Sequence, residues 1–196
     1  MRPWAAVSAG VAVVLLGGTA GTYGFWSDQA TVTGAAVVSG SLSMTINGED
    51  TDTYTWTDLA TSDLAPGESV AAVLTIGNPG DVPFTVTAQG QPGAGSNNGL
   101  RQKTPIVVRV GGSVANDGDT TYPREETCTG GTLTWDAILS NPGPDDVVTG
   151  TSFEVATGAA LDVCVQATLE TSSDNSLQNQ EYYPELVFTA TQKAVS

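Results

Sequence analysis

Apolar and polar residues alternate with a period of two in window after window of this chain, the signature of strands that bury one face and wet the other. Tyr54 and Trp56 alternate with Thr53, Thr55 and Thr57, and Val70, Ala72, Leu74 and Ile76 form the next set. Val82, Phe84 and Val86 follow the compact turn signal Asn78-Pro79-Gly80-Asp81, so Val70–Ala88 is predicted to be a hairpin. Ile106–Val110, Leu133–Leu139, Phe153–Ala156, Leu161–Leu169 and Tyr182–Ala190 read as further strands, separated by clusters of Gly, Asn, Asp and Pro. Gln91–Asn98 and Asn141–Asp146 read as exposed connecting loops. No window offers a long amphipathic helix. Roughly nine strands at short intervals predict an all-β fold, a two-sheet antiparallel sandwich. In this reading Leu133, Trp135, Ala137 and Leu139 share a buried face, which makes Trp135 a core residue, and Tyr54 and Trp56 are read the same way.

The length of 196 residues suits one domain with a real core. Charge narrows the partners: 21 Asp and Glu against 6 Lys and Arg give a net charge of −15, which repels nucleic acid and anionic lipid surfaces. The chain has no histidine, and so lacks the commonest general base and the commonest metal ligand. The paired histidines of a zinc peptidase cannot be supplied. Ser41 and Lys103 are a formal serine–lysine pair that nothing in their spacing supports. Asn116-Asp117-Gly118-Asp119 and Glu49-Asp50-Thr51-Asp52 have the oxygen chemistry for calcium. Neither completes a calcium loop, so both read as solvated turns. No catalytic residue, metal site or cofactor is expected.

Pro3 to Ser27 carries no charge, with Arg2 ahead of it and an apolar run from Ala5 to Leu16. This is the layout of an export signal, an N-terminal signal helix. Glycines from Gly17 onward interrupt the run before it reaches the roughly 20 residues of a spanning helix. The small residues Thr22 and Gly24 place the cut between Gly24 and Phe25, giving a signal over residues 1–24 and a mature domain over 25–196. The alternative keeps the segment uncleaved, and only then is a membrane involved.

In an exported protein Cys128 and Cys164, the only two cysteines, pair as a disulfide. On the strand Leu161–Leu169 the odd positions share the apolar face, so Cys164 points the other way. The bridge is therefore expected to tie a loop carrying Cys128 across the outside of a sheet.

The stretch Gly21-Thr22-Tyr23-Gly24-Phe25-Trp26-Ser27-Asp28, followed by Ala30-Thr31-Val32-Thr33 and Ser39-Gly40-Ser41-Leu42, resembles the alternate signal region of the TasA/camelysin family. Leu64-Ala65-Pro66-Gly67-Glu68, ahead of Leu74-Thr75-Ile76-Gly77-Asn78-Pro79-Gly80, is similar to that family's Leu-x-Pro-Gly-Asp/Glu turn, strand and Asn-x-Gly turn. Together the matches cover roughly the first 90 residues. The cysteines, the segment Gly111–Gly131 and Trp26 fall outside the pattern. The resemblance implies export through a SipW-type signal peptidase, a jelly-roll-like domain, and a role in the extracellular fibres of a biofilm matrix.

These readings converge on a secreted, extracellular or cell-surface protein, a structural subunit or accessory of fibres that associates with itself or with a fibre-forming homologue. Within residues 25–40, Phe25–Val38 is the candidate donor strand, with Val32, Val37 and Val38 as its apolar residues. Two rivals stand beside it: a secreted adhesin or carbohydrate-binding module, and a secreted peptidase, a label that some camelysin relatives carry.

Overall fold

A computed structural model describes residues 40–51, 54, 56, 64–118, 120–150 and 153–193. All of them belong to one unit, Val38–Ser196. One antiparallel sheet has the strand order β1 (Thr45–Ile46), β2 (Ser69–Gly77), β8 (Ala160–Thr168), β4 (Ile106–Ala115), β5 (Thr127–Ala137). The other is centred on β3 (Phe84–Pro92). Along one edge β3 pairs over its whole length with β9 (Pro184–Gln192), and β6 (Asp145–Val148) and β7 (Glu154–Val155) lie end to end along the other. The fold is thus the expected all-β, two-sheet antiparallel sandwich. The chain changes sheets at most connections, and only β1–β2 and β4–β5 are paired neighbours in sequence. The segment read as a signal helix lies outside the described residues.

Alternation builds the core as the pattern predicted. Ile76 from β2, Phe84 and Val86 from β3, Ile106 and Val108 from β4 and Val163 and Val165 from β8 are all buried, and Leu139, Val147 and Val155 close the cluster. Each such side chain contributes on the order of 2 kcal/mol through its removal from water.

Four expectations are corrected. Val70–Ala88 is not a hairpin: β2 and β3 lie in different sheets, and the chain arches between them. The buried side chain of Asn78 makes the arch. Its amide donates to the carbonyls of Val82 (2.9 Å) and Val155 (3.0 Å), and its oxygen accepts from Gly80 N–H at 3.0 Å. It thereby satisfies backbone groups that a hairpin ladder would otherwise pair. Second, Leu133 and Trp135 do not share a face. A bulge between Val108 and Arg109 pairs Val108 with Trp135 but Arg109 with Leu133, so Trp135 packs on the core while Leu133 is exposed. Third, Asn141–Asp146 is only partly loop, because its end begins β6, where Val147 and Val148 are buried. Fourth, neither Tyr54 nor Trp56 is in a strand.

Candidate functional site

The segment Gly111–Gly131, which no sequence pattern placed, forms a strap. β4 and β5 continue as a paired arm past Val110 and Thr132, with Gly112 opposite Gly130 and Val114 opposite Cys128. Gly111, Gly130 and Gly131 all have positive φ, and the arm turns at these residues over the outer face of the five-stranded sheet. A Cβ on Gly131 would lie 2.4 Å from the Val110 carbonyl oxygen and 2.5 Å from Gly112 N, both backbone atoms that cannot yield. The arm crosses β8, where Cys128 and Cys164 are joined with 5.7 Å between their Cα atoms. Cys164 points away from the main core as expected, yet it is fully buried, because the strap covers it together with Ala71, Val73 and Val114. Cys128 sits on a strand of this arm rather than in a loop.

Beyond β8 the strap reaches the outer edge of β2. Ser69 N–H donates to the Arg124 carbonyl at 3.0 Å, and the Ser69 hydroxyl donates to the Glu126 carbonyl at 2.8 Å. The Leu64–Glu68 turn supplies the anchor. Gly67 has φ +94° and Glu68 N–H donates to the Ala65 carbonyl at 3.0 Å, a type II turn with proline and glycine in the positions it requires. Glu68 is buried, and its carboxylate accepts from Ala65 N–H (2.8 Å), Arg124 N–H (2.9 Å) and the Arg124 guanidinium (3.1 Å). Burial pushes the Glu68 carboxyl pKa up, but the Ala65 and Arg124 hydrogen bonds and the guanidinium charge outweigh it and leave the group below its ordinary value. The paired doublets Gly111-Gly112 and Gly130-Gly131, set about the tip Asn116-Asp117-Gly118, are the sequence signal for the strap.

No family model and no curated protein matches this chain. The site therefore rests on its geometry.

Of the residues singled out in the sequence, Gly24, Phe25, Val32, Val37 and Val38 lie outside the described residues. Ser41 and Lys103 do not meet: the Ser41 hydroxyl donates to Asp81 at 2.9 Å, and the Lys103 amine to Glu170 at 3.0 Å and Ser172 at 2.9 Å. At the strap tip the Asn116 amide donates to the Glu125 carbonyl and Gly118 N–H to the Glu126 carboxylate, each at 3.0 Å. Among the described residues no group of three or more His, Cys, Asp or Glu is arranged to hold a metal, and no helix is long and apolar enough to cross a membrane. Trp56 and Trp135 are partly buried and pack against the core.

What the described surface does present is backbone at strand edges, and the edges differ. β1 has two residues. β6 and β7 are short, and the pairing of β6 slips at Ala88/Gln89. β5 carries the bulge and the glycine bend. β9 alone among the described strands is a nine-residue edge in unbroken register, with one charged residue, Glu185, and no lysine. Its Pro184 stands at the very start. Bulges, lysines and internal prolines are the devices that normally blunt an edge, and within β9 they are missing.

Proposed function

We propose that this protein is an exported surface protein of the TasA/camelysin kind, a structural subunit or accessory of extracellular fibres that works by strand addition. The observation that carries the reading is the outer edge of β9. Val86 N–H donates to the Phe153 carbonyl on the β7 side. By alternation, Thr85, Thr87, Gln89 and Gln91 therefore face β9 and bond their opposites Thr191, Thr189, Val187 and Glu185. Leu186, Phe188 and Ala190 then direct their N–H and C=O groups outward, where an added strand bonds them. The donor is Phe25–Val38 of a neighbouring copy or homologue, released by a SipW-type peptidase after Gly24. The disulfide supports export, because such bonds persist in oxidising compartments.

The experiment compares the purified mature protein with Ala190→Pro and with a deletion of Phe25–Val38, following filament formation against concentration by electron microscopy and light scattering. Ala190→Pro removes an outward N–H without touching the β3 ladder. Filaments are expected from the parent protein and from neither variant, with circular dichroism confirming that both variants are folded. Filaments from both variants at the parent's concentration would overturn the reading.

A further inference from the structure

The outer edge of β2 is not covered by a strand along its whole length. β1 pairs with it only at Ile76 and Gly77, and the strap reaches it only around Ser69. Between these ends the edge is held by side chains and by one backbone bond, from Asn47 N–H to the Thr75 carbonyl at 2.8 Å. Glu126 accepts from Ala71 N–H at 3.1 Å, and the Asn47 side-chain oxygen accepts from Thr75 N–H at 2.8 Å. Alternation turns Val73 N–H and C=O to the same edge, and among the described residues nothing bonds its N–H. This window opens into a shallow groove of ≈ 540 Å³ lined by Ala71, Val73, Val114, Asp117 and Glu126, among others.

We propose that this groove is a docking site for an extended, positively charged peptide segment of another protein. The segment's backbone pairs with β2 at Val73, an apolar side chain rests on Val73 and Val114, and a lysine or arginine meets Asp117 and Glu126. Asp117 is exposed at the strap tip. Each Glu126 oxygen accepts one backbone N–H, from Ala71 or from Gly118, and so keeps a lone pair for a cation.

Charge decides the occupant. The five described lysines and arginines are all engaged within the chain: Arg101 with Asn98 and Leu139, Lys103 with Glu170, Arg109 with the Gly130 carbonyl, Arg124 with Glu68, and Lys193 with Glu154. A second copy therefore brings a net charge of −15 and no described cation to offer. A basic partner is steered towards the groove instead. This site is separate from the β9 edge and stands or falls without it.

The test titrates the secreted protein with a short fluorescent peptide alternating valine and lysine. The controls are a valine–glutamate peptide and a valine–lysine peptide N-methylated on alternate residues. Fluorescence polarisation is expected to show binding of the first alone, weakened at least tenfold by Asp117→Lys. Amide shifts on binding are expected to centre on Ala71–Thr75 and Val114–Gly118. Equal binding of the N-methylated peptide, or shifts scattered over the acidic surface, would mean general charge attraction and overturn the proposal. So would unchanged affinity in Asp117→Lys, an exposed turn substitution that leaves the fold alone.

Discussion

Glu68 and Arg124 stand 56 positions apart and meet at 3.1 Å, where the Leu64–Glu68 turn receives the returning limb of the strap. The strap is therefore held at both ends of its crossing, by the disulfide over β8 and by this ion pair at the edge of β2. The two anchors respond to different chemistry.

Removing the Glu68 carboxylate takes away the ion-pair partner of the Arg124 guanidinium at 3.1 Å and the acceptor of the Ala65 and Arg124 N–H groups. Loss of one partner of a buried pair costs about 3–5 kcal/mol, and partial exposure of Arg124 sets the expectation at about 3 kcal/mol for Glu68→Ala. A carboxyl held below its ordinary pKa contributes stability that is present above that value and fades as pH falls below it. For Glu68 that ordinary value is 4.5. Urea midpoints measured from neutral pH down through the acid range should therefore fall for the parent protein, while Glu68→Gln starts lower and changes less. A parallel decline in both would disprove this role.

The disulfide closes a loop of 36 positions, for which the chain-entropy relation gives about 4 kcal/mol. The double substitution Cys128→Ala/Cys164→Ala is expected to lower unfolding free energy by about 2–4 kcal/mol. It should speed hydrogen exchange in Gly111–Gly131 while amides of β3 and β9 keep their rank, since those strands lie in the other sheet. Uniform loss of protection in both sheets would show that the bridge holds the whole fold and not the strap.

Two glycines of the strap separate backbone conformation from space. Gly118 has φ +71° with no atom within 4 Å of an added Cβ, so Gly118→Ala meets only the left-handed penalty of about 1–2 kcal/mol. Gly131 has φ +54° and backbone atoms inside 2.7 Å, so Gly131→Ala has to displace the arm. A thermal shift for Gly131→Ala several times that of Gly118→Ala is expected. Equal shifts would show that the bend at Gly131 adjusts freely.

Period-two alternation was enough to find the core strands, since β2, β3, β4 and β8 each carry a run of branched or aromatic residues on one face. It failed where a local event reverses parity or where side chains replace backbone pairing. The bulge beside Val108 separates Leu133 from Trp135 without any mark in the apolar pattern. Asn78-Pro79-Gly80 has the composition of a hairpin turn, and only the amide of Asn78, bonded to a carbonyl 77 positions away, shows it to be an arch. The disulfide was legible because only one pairing exists for two cysteines. The strap was not, because its glycine doublets carry no apolar periodicity and its anchor at Glu68 depends on a long-range contact.

Asn78 turns that contrast into a measurement. Asn78→Ala leaves the buried carbonyls of Val82 and Val155 and the N–H of Gly80 without their partner. At about 1–3 kcal/mol for a stranded buried group, with water reaching the rim of the arch, the expected loss is about 3 kcal/mol. Asn78→Asp should cost at least as much, because a carboxylate then faces two carbonyl oxygens. Urea unfolding of both variants checks the order. A milder effect for Asp than for Ala would count against the proposed roles of the two amide atoms.

Tyr182 reverses the usual direction of a deletion. Its hydroxyl is buried with no hydrogen-bond partner among the described residues, while its ring packs against the main core. Burial pushes its pKa up to about 12, since the phenolate would sit in a poorly solvated place, and Asp145 opposes that charge while Arg101 favours it. Tyr182→Phe keeps the ring and removes the unsatisfied group, so it should raise stability by about 1 kcal/mol at neutral pH. The pH arm is independent of that gain. A tyrosine whose folded pKa exceeds its unfolded value of 10 contributes stability that is complete below pH 10 and lost as pH rises towards 12. The advantage of Tyr182→Phe over the parent should therefore widen above pH 10 in paired urea titrations. A constant difference across that range would mean that the hydroxyl is solvated in the folded protein.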